Sequence, residues 1–219
     1  MSSMINEELY DKLRLIYEEK RDSIKARLTE FQDVLDNGDD KRIFKELAFC
    51  ILTSAAGPKM GQMSVDAING LLMEGSEGEL YEKLQGVHKY PERASYIVHT
   101  REYLKKGFDF KLKDLVFSFK DPIERRDFFA SNRNIKGIGY LQASHFLRNI
   151  GFSGYTILDK NIMRMIYDLG LVDNPKPPTT KKSYIEVENK VKAFSDKFGI
   201  EIDDLDLLLW SVRTGHIPK

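Results

Sequence analysis

Apolar residues return at intervals of three and four along nearly the whole chain, and no stretch alternates apolar with polar as a half-buried strand does. A helical interval stacks side chains on one stripe of a cylinder, and that stripe must be buried against another. The chain is thereby confined to helix-on-helix packing, and the expected fold class is all-α. Leu9, Leu13, Ile16, Ile24, Phe31 and Val34 mark a first long helix from residue 7 to about 36. Asn37-Gly38-Asp39-Asp40 breaks it and can cap the next. Residues 43–56 are apolar almost throughout and read as a buried central helix, stopped by Gly57-Pro58. Further helices are expected over 60–73, around Leu80, and over 91–106, 111–119, 122–130, 160–169, 183–198 and 203–214, besides the one that follows Gly139. Pro122 suits a first turn, Gly215 suits a stop, and Pro175-Lys176-Pro177-Pro178 reads as a rigid connector.

A length of 219 residues suffices for one or two domains with real cores. Charge is abundant but balanced, 34 basic against 34 acidic residues, which argues against a scavenger of bulk polyanions. It leaves room for nucleic-acid binding through locally clustered charge. A lone cysteine, Cys50, excludes an intrachain disulfide and any four-cysteine iron–sulfur or zinc site. Within Phe49-Cys50-Ile51-Leu52 it reads as a buried, inert thiol. The chain shows no signal-peptide pattern and no apolar run long enough to span a bilayer, so a soluble intracellular protein without a membrane partner is expected.

One passage carries chemistry. Asn134-Ile-Lys-Gly-Ile-Gly139 sets two glycines between an apolar anchor, Ile135, and an amphipathic helix. Glycines permit a sharp turn and close approach of the backbone to another molecule. The helix that follows offers unpaired N–H groups and the positive end of its dipole, which suit a phosphate. A carboxylate, Asp159, stands beyond that helix. Taken alone, Asp159 reads first as the N-cap of the next helix.

These passages resemble the type-2 8-oxoguanine DNA glycosylase/AP lyases of the helix-hairpin-helix, endonuclease III-like superfamily. The resemblance rests on Phe44-Lys-Glu-Leu-Ala-Phe-Cys-Ile-Leu-Thr-Ser-Ala, on Asn134-Ile-Lys-Gly-Ile-Gly-Tyr with Ala143-Ser-His-Phe-Leu-Arg-Asn149, on Ile157-Leu-Asp159, and on Leu205-Asp-Leu with Trp210 and Arg213-Thr-Gly. It implies two helical domains with a DNA- and base-binding cleft between them. Residues 1–56 and 156–219 would form one domain, and 57–155 the other, with the hairpin motif at about 128–150. It also implies double-stranded DNA containing 8-oxoguanine as partner, a monomer, a cytoplasmic, nucleoid-associated location, and no cofactor beyond a monovalent cation at the hairpin.

The resemblance also assigns residues. Asp159 would be the catalytic carboxylate, stabilising positive charge on the sugar or taking a proton. Family members that cleave DNA carry a lysine two residues before the alanine of Ala-Ser-His-Phe, where it forms an imine with the sugar. Leu141 occupies that position, eighteen residues before Asp159, and Gln142 is no nucleophile either. The chain is then a natural variant that only hydrolyses, an engineered inactive form, or one in which Lys136 or Lys160 supplies the amine. Lys219, through the terminal carboxylate, would read the oxidised base, and Trp210 would pack against it or belong to the core. Tyr90 in His88-Lys89-Tyr90-Pro91 would fill the gap in the duplex. Lys136 and the amides of Gly137 and Gly139 would hold phosphate, with Arg93, Arg133 and Arg148 as lesser candidates, and His145 reads as structural. A binder of damaged DNA that does not cut it, or a monofunctional glycosylase for another damaged base, are the alternatives.

Overall fold

The computed structural model describes residues 6–54 and 56–217. Among these are eleven helices and no strand: α1 (Glu7–Asn37), α2 (Asp40–Thr53), α3 (Gly57–Ile68), α4 (Glu77–Leu84), α5 (Arg93–Phe108), α6 (Leu112–Ser118), α7 (Pro122–Ser131), α8 (Tyr140–Asn149), α9 (Lys160–Asp168), α10 (Lys181–Phe198) and α11 (Ile202–Thr214). Asp39 caps α2 by accepting the Arg42 amide, and Pro122 opens α7. Gly57-Pro58 behaves otherwise than expected. Five residues after α2 ends, Pro58 opens α3 in a first-turn position, where its missing N–H costs nothing. The same helix stops at Ile68, five residues short of the expected end, in a series of turns.

By their contacts, Asp33–Ile150 form one compact unit, and the residues up to Gln32 join those from Gly151 onward in the other. The expected division assigns α2 to the terminal helices. Its contacts instead lie with α3, α5, α6 and α8, in the central unit. Six consecutive α2 residues, Leu47 to Leu52, have no exposure, Cys50 among them. A helix that is apolar all round belongs at the centre of its unit. Each such leucine or phenylalanine contributes roughly 2 kcal/mol by leaving water. α7 packs on α8, with the Phe129 and Phe146 rings 4.9 Å apart.

In the terminal unit α9 and α10 pack on α11, and α1 is pinned to α11 by polar bonds. Tyr17 Oη donates to Asp204 Oδ1 at 3.1 Å, and Lys25 Nζ meets Asp204 Oδ2 at 2.8 Å. Tyr10 sets its ring edge-on to Phe194 and Phe198. No helix among the described residues is long and apolar enough to cross a membrane.

Candidate active site

The turn between α7 and α8 is built from both ends. Ile135 and Ile138 are buried anchors, and the Lys136 amide donates to Thr100 Oγ1 of α5 at 3.0 Å. Gly137 alone takes a left-handed conformation, with φ +74°. A Cβ there would lie 3.0 Å from the Tyr96 ring and 3.1 Å from Arg93 Nη1, so both backbone and space require glycine. Gly139 differs. Its φ is −115°, and a Cβ would meet only Gln142 Oε1 at an ordinary 3.6 Å. Among the described residues nothing explains a glycine at 139, whereas a ligand passing close to the backbone would. No side chain caps the first turn of α8. The Gly139 amide makes a long bond, 3.3 Å, to Gln142 Oε1, which gives Gln142 a role in shaping the turn. Leu141 lies half-buried in that same first turn.

Asp159 is half-buried and caps α9. Its Oδ1 accepts the amides of Asn161 and Ile162, both at 2.8 Å. Its Oδ2 accepts Asn161 Nδ2 at 3.3 Å and the indole N–H of Trp210 at 3.0 Å. Four N–H groups therefore fix one carboxylate. The extended segment leading to it has no ladder of its own, and its buried amides need partners. Buried acids of α10 and α11 supply them. Asp203 accepts from Ser153 Oγ and the Gly154 amide, Glu188 from the Thr156 amide, and Asp206 from the Ile157 amide at 2.9 Å. Tyr184 Oη accepts the Leu158 amide and donates to the Thr156 carbonyl at 2.6 Å. Sequence reasoning missed these four residues. The available signal was Asp203, Asp204 and Asp206 on a helix otherwise made of leucines, since buried charge on an aliphatic helix needs a partner.

The other expected residues divide. Tyr90 is half-buried in a loop held by His88, whose Nε2–H donates to the Leu52 carbonyl while Nδ1 accepts the Tyr90 amide, both at 2.9 Å. Arg93 Nη1 donates to the Ile51 carbonyl at 2.7 Å, so its head is committed to the end of α2. Arg148 is buried against Asn149 Oδ1, which withdraws it from any phosphate, whereas Arg133 is exposed. His145 is buried edge-on to Phe49, as a structural histidine should be. Lys136 is partly exposed and Lys160 is exposed. Trp210 is 9% exposed, with His216 edge-on to its ring at 5.0 Å. Lys219 lies outside the described residues.

Paired helices joined by a tight glycine turn, with a capping acid after the second helix, define the helix-hairpin-helix class of DNA glycosylases. The family model for 8-oxoguanine DNA glycosylase matches residues 24–200. The chain is 34% identical to the 8-oxoguanine DNA glycosylase/AP lyase of Fusobacterium nucleatum over 99% of its own length and 100% of that protein's. The crystal structure of the Thermotoga maritima 8-oxoguanine DNA glycosylase superposes with a TM-score of 0.87 at 36% identity, over 97% of this chain and 99% of the other. The Methanocaldococcus jannaschii 8-oxoguanine glycosylase/lyase, solved with a 15mer DNA containing 8-oxoguanine, superposes with a TM-score of 0.87 at 34% identity, over 96% and 99%. The chain belongs to the 8-oxoguanine DNA glycosylase family.

Proposed function

We propose that this protein releases 8-oxoguanine from double-stranded DNA by hydrolysing the base–sugar bond, and that it leaves the strand uncut. The observation that supports this most is Asp159, a carboxylate fixed by four N–H groups, eighteen residues after a leucine in the lysine position. As the C1′–N9 bond breaks, its electron pair leaves with the base and positive charge grows on the sugar. The carboxylate stabilises that charge, water adds at C1′, and the water's proton is passed on. Leu141 cannot form an imine, so β-elimination has no starting point.

The turn would take the sugar–phosphate strand through its amides at Gly137 and Gly139, aided by Lys136, and Tyr90 would occupy the gap left by the flipped base. Oxidation at C8 turns the N7 acceptor of guanine into a donor. The terminal carboxylate of Lys219, with the Trp210 ring beside the base, would reward that donor and disfavour intact guanine. Among the described residues no cluster of histidine, cysteine and acids could hold a metal. Main-chain oxygens of the hairpin, hard and weakly binding, would hold the monovalent cation that the resemblance implies. No reaction step runs through it. A cytoplasmic, nucleoid-associated monomer belongs to the same reading.

The test is an end-labelled 8-oxoguanine duplex, with parallel duplexes carrying other damaged bases. Base release that becomes visible as strand breaks only after hot alkali is the expected result. Leu141→Lys should add spontaneous nicking and a borohydride-trapped adduct, and Asp159→Asn should lower release by about 1000-fold while duplex binding persists. Leu141 also favours a second reading, a binder of damaged DNA, and tight binding without any release would establish it. Spontaneous nicking by the unaltered chain would overturn the hydrolytic reading and point to Lys136 or Lys160.

A further inference from the structure

Asp203, Asp206 and Trp210 stand at i, i+3 and i+7 on α11, which places them on one face of the helix. Their partners follow in the same order along the extended segment: Ser153 and Gly154, then Ile157, then Asp159. α11 thus lies along this segment as a splint with three rungs. The first two rungs hold backbone amides, the first also the Ser153 hydroxyl. The third holds a side chain, the carboxylate itself.

That third contact exceeds what the fold requires. An N-cap is complete with one oxygen, and Oδ1 already accepts two amides of α9. Oδ2 would otherwise face only Asn161 Nδ2, at a long 3.3 Å. A nearly buried tryptophan must find an acceptor for its single donor, but a phenylalanine would fill core space without that obligation. Tryptophan at 210 brings a rigid N–H donor to the one oxygen the cap leaves open.

We propose that Trp210 is a positioning residue whose indole N–H fixes Oδ2 of Asp159, and with it the plane of the carboxylate, whatever use the face of its ring has. The inference rests on the reading of Asp159 as the reacting acid. It assigns the effect of Trp210 to the chemical step. An anchored carboxylate meets the growing sugar charge without first reorienting, and duplex affinity is untouched by that bond.

Trp210 is the sole tryptophan, so its indole gives a single N–H signal in a ¹H–¹⁵N spectrum. In the unaltered protein that signal should be shifted and protected from exchange, and Asp159→Asn should move it. An indole signal unchanged by Asp159→Asn overturns the proposal whether or not the protein is active. Trp210→Phe keeps an aromatic ring and removes the donor. It should lower the single-turnover rate of 8-oxoguanine release on the order of 10-fold with KM within about twofold. In the Asp159→Asn background the same change should cost nothing further. A rise in KM at full rate would instead assign Trp210 to base stacking alone and overturn the proposal. Failure of the unaltered protein to release any base overturns the reading of Asp159 as the reacting acid, and the indole signal then still reports whether the bond exists.

Discussion

The glycine turn and the segment that ends at Asp159 are both short, irregular and bounded by helices, yet they are held in opposite ways. The turn is held mostly by its near neighbours in sequence, with an outside bond from the Lys136 amide to Thr100 Oγ1 of α5. Its conformation comes from Gly137, from the apolar anchors on either side of it, and from a side chain three residues beyond Gly139. The acid segment has almost nothing of its own. Four of its amides and the side chain it delivers depend on groups from α10 and α11, at separations of 26 to 51 residues. A binding surface can be made from local backbone rules. A reacting carboxylate needs a rotamer fixed by surroundings that local rules do not supply.

The dependence of the second region on distant acids predicts the larger effect. Asp206→Ala leaves the buried Ile157 amide without an acceptor. We expect a loss of about 1–3 kcal/mol in chemical denaturation. Base release should fall further than stability explains, by roughly 100-fold, because the segment carrying Asp159 moves. If release at a temperature where the variant is fully folded equals that of the unaltered protein, the segment is self-supporting after all.

Within the turn the two glycines should separate. Gly137→Ala faces both a left-handed backbone and contacts with Tyr96 and Arg93, and should cost about 1–3 kcal/mol, read as a fall in Tm. Gly139→Ala should leave Tm within about 1 °C and weaken duplex binding roughly 10-fold, since its Cβ meets only Gln142. Equal losses of Tm in both variants would show that Gly139 is an internal requirement.

The smallest effect tests how α11, the source of the rungs, is itself anchored. Burial, reinforced by the charge of Asp204, pushes the Tyr17 phenol above its ordinary value of 10.0. A raised folded value means that the contribution of the neutral phenol is complete below about pH 10 and is lost as pH climbs through the higher folded value. Unfolding followed from pH 9 upward should therefore show a decline of on the order of 1 kcal/mol that Tyr17→Phe lacks.

The same contrast governs what could be read from sequence. Helical spacing revealed nearly every helix, and the turn was legible because glycine, an apolar anchor and a following amphipathic helix are neighbours in the chain. The fault at Gly57-Pro58 came from reading a dipeptide as a stop when the following residues made it a start. The sequence offered both glycines one joint role, a sharp turn with close backbone approach, and only coordinates separate a glycine used for φ from one used for clearance. Asp159 as a cap was legible from position. Its bond to Trp210 was not, because a contact between residues 51 apart leaves no local pattern. Asp203 and Asp206 were visible as acids among leucines, yet apart from the Ser153 hydroxyl the partners described for them are backbone amides, which have no letter in a sequence.

The splint has a bearing on synthesis. While α11 is still within the ribosome, a nascent chain can already display its turn, but Asp159 has only the cap donors of α9. The residues that complete its setting are translated some fifty positions later. On the proposed roles, order of manufacture thus matures the strand-holding turn before the reacting acid.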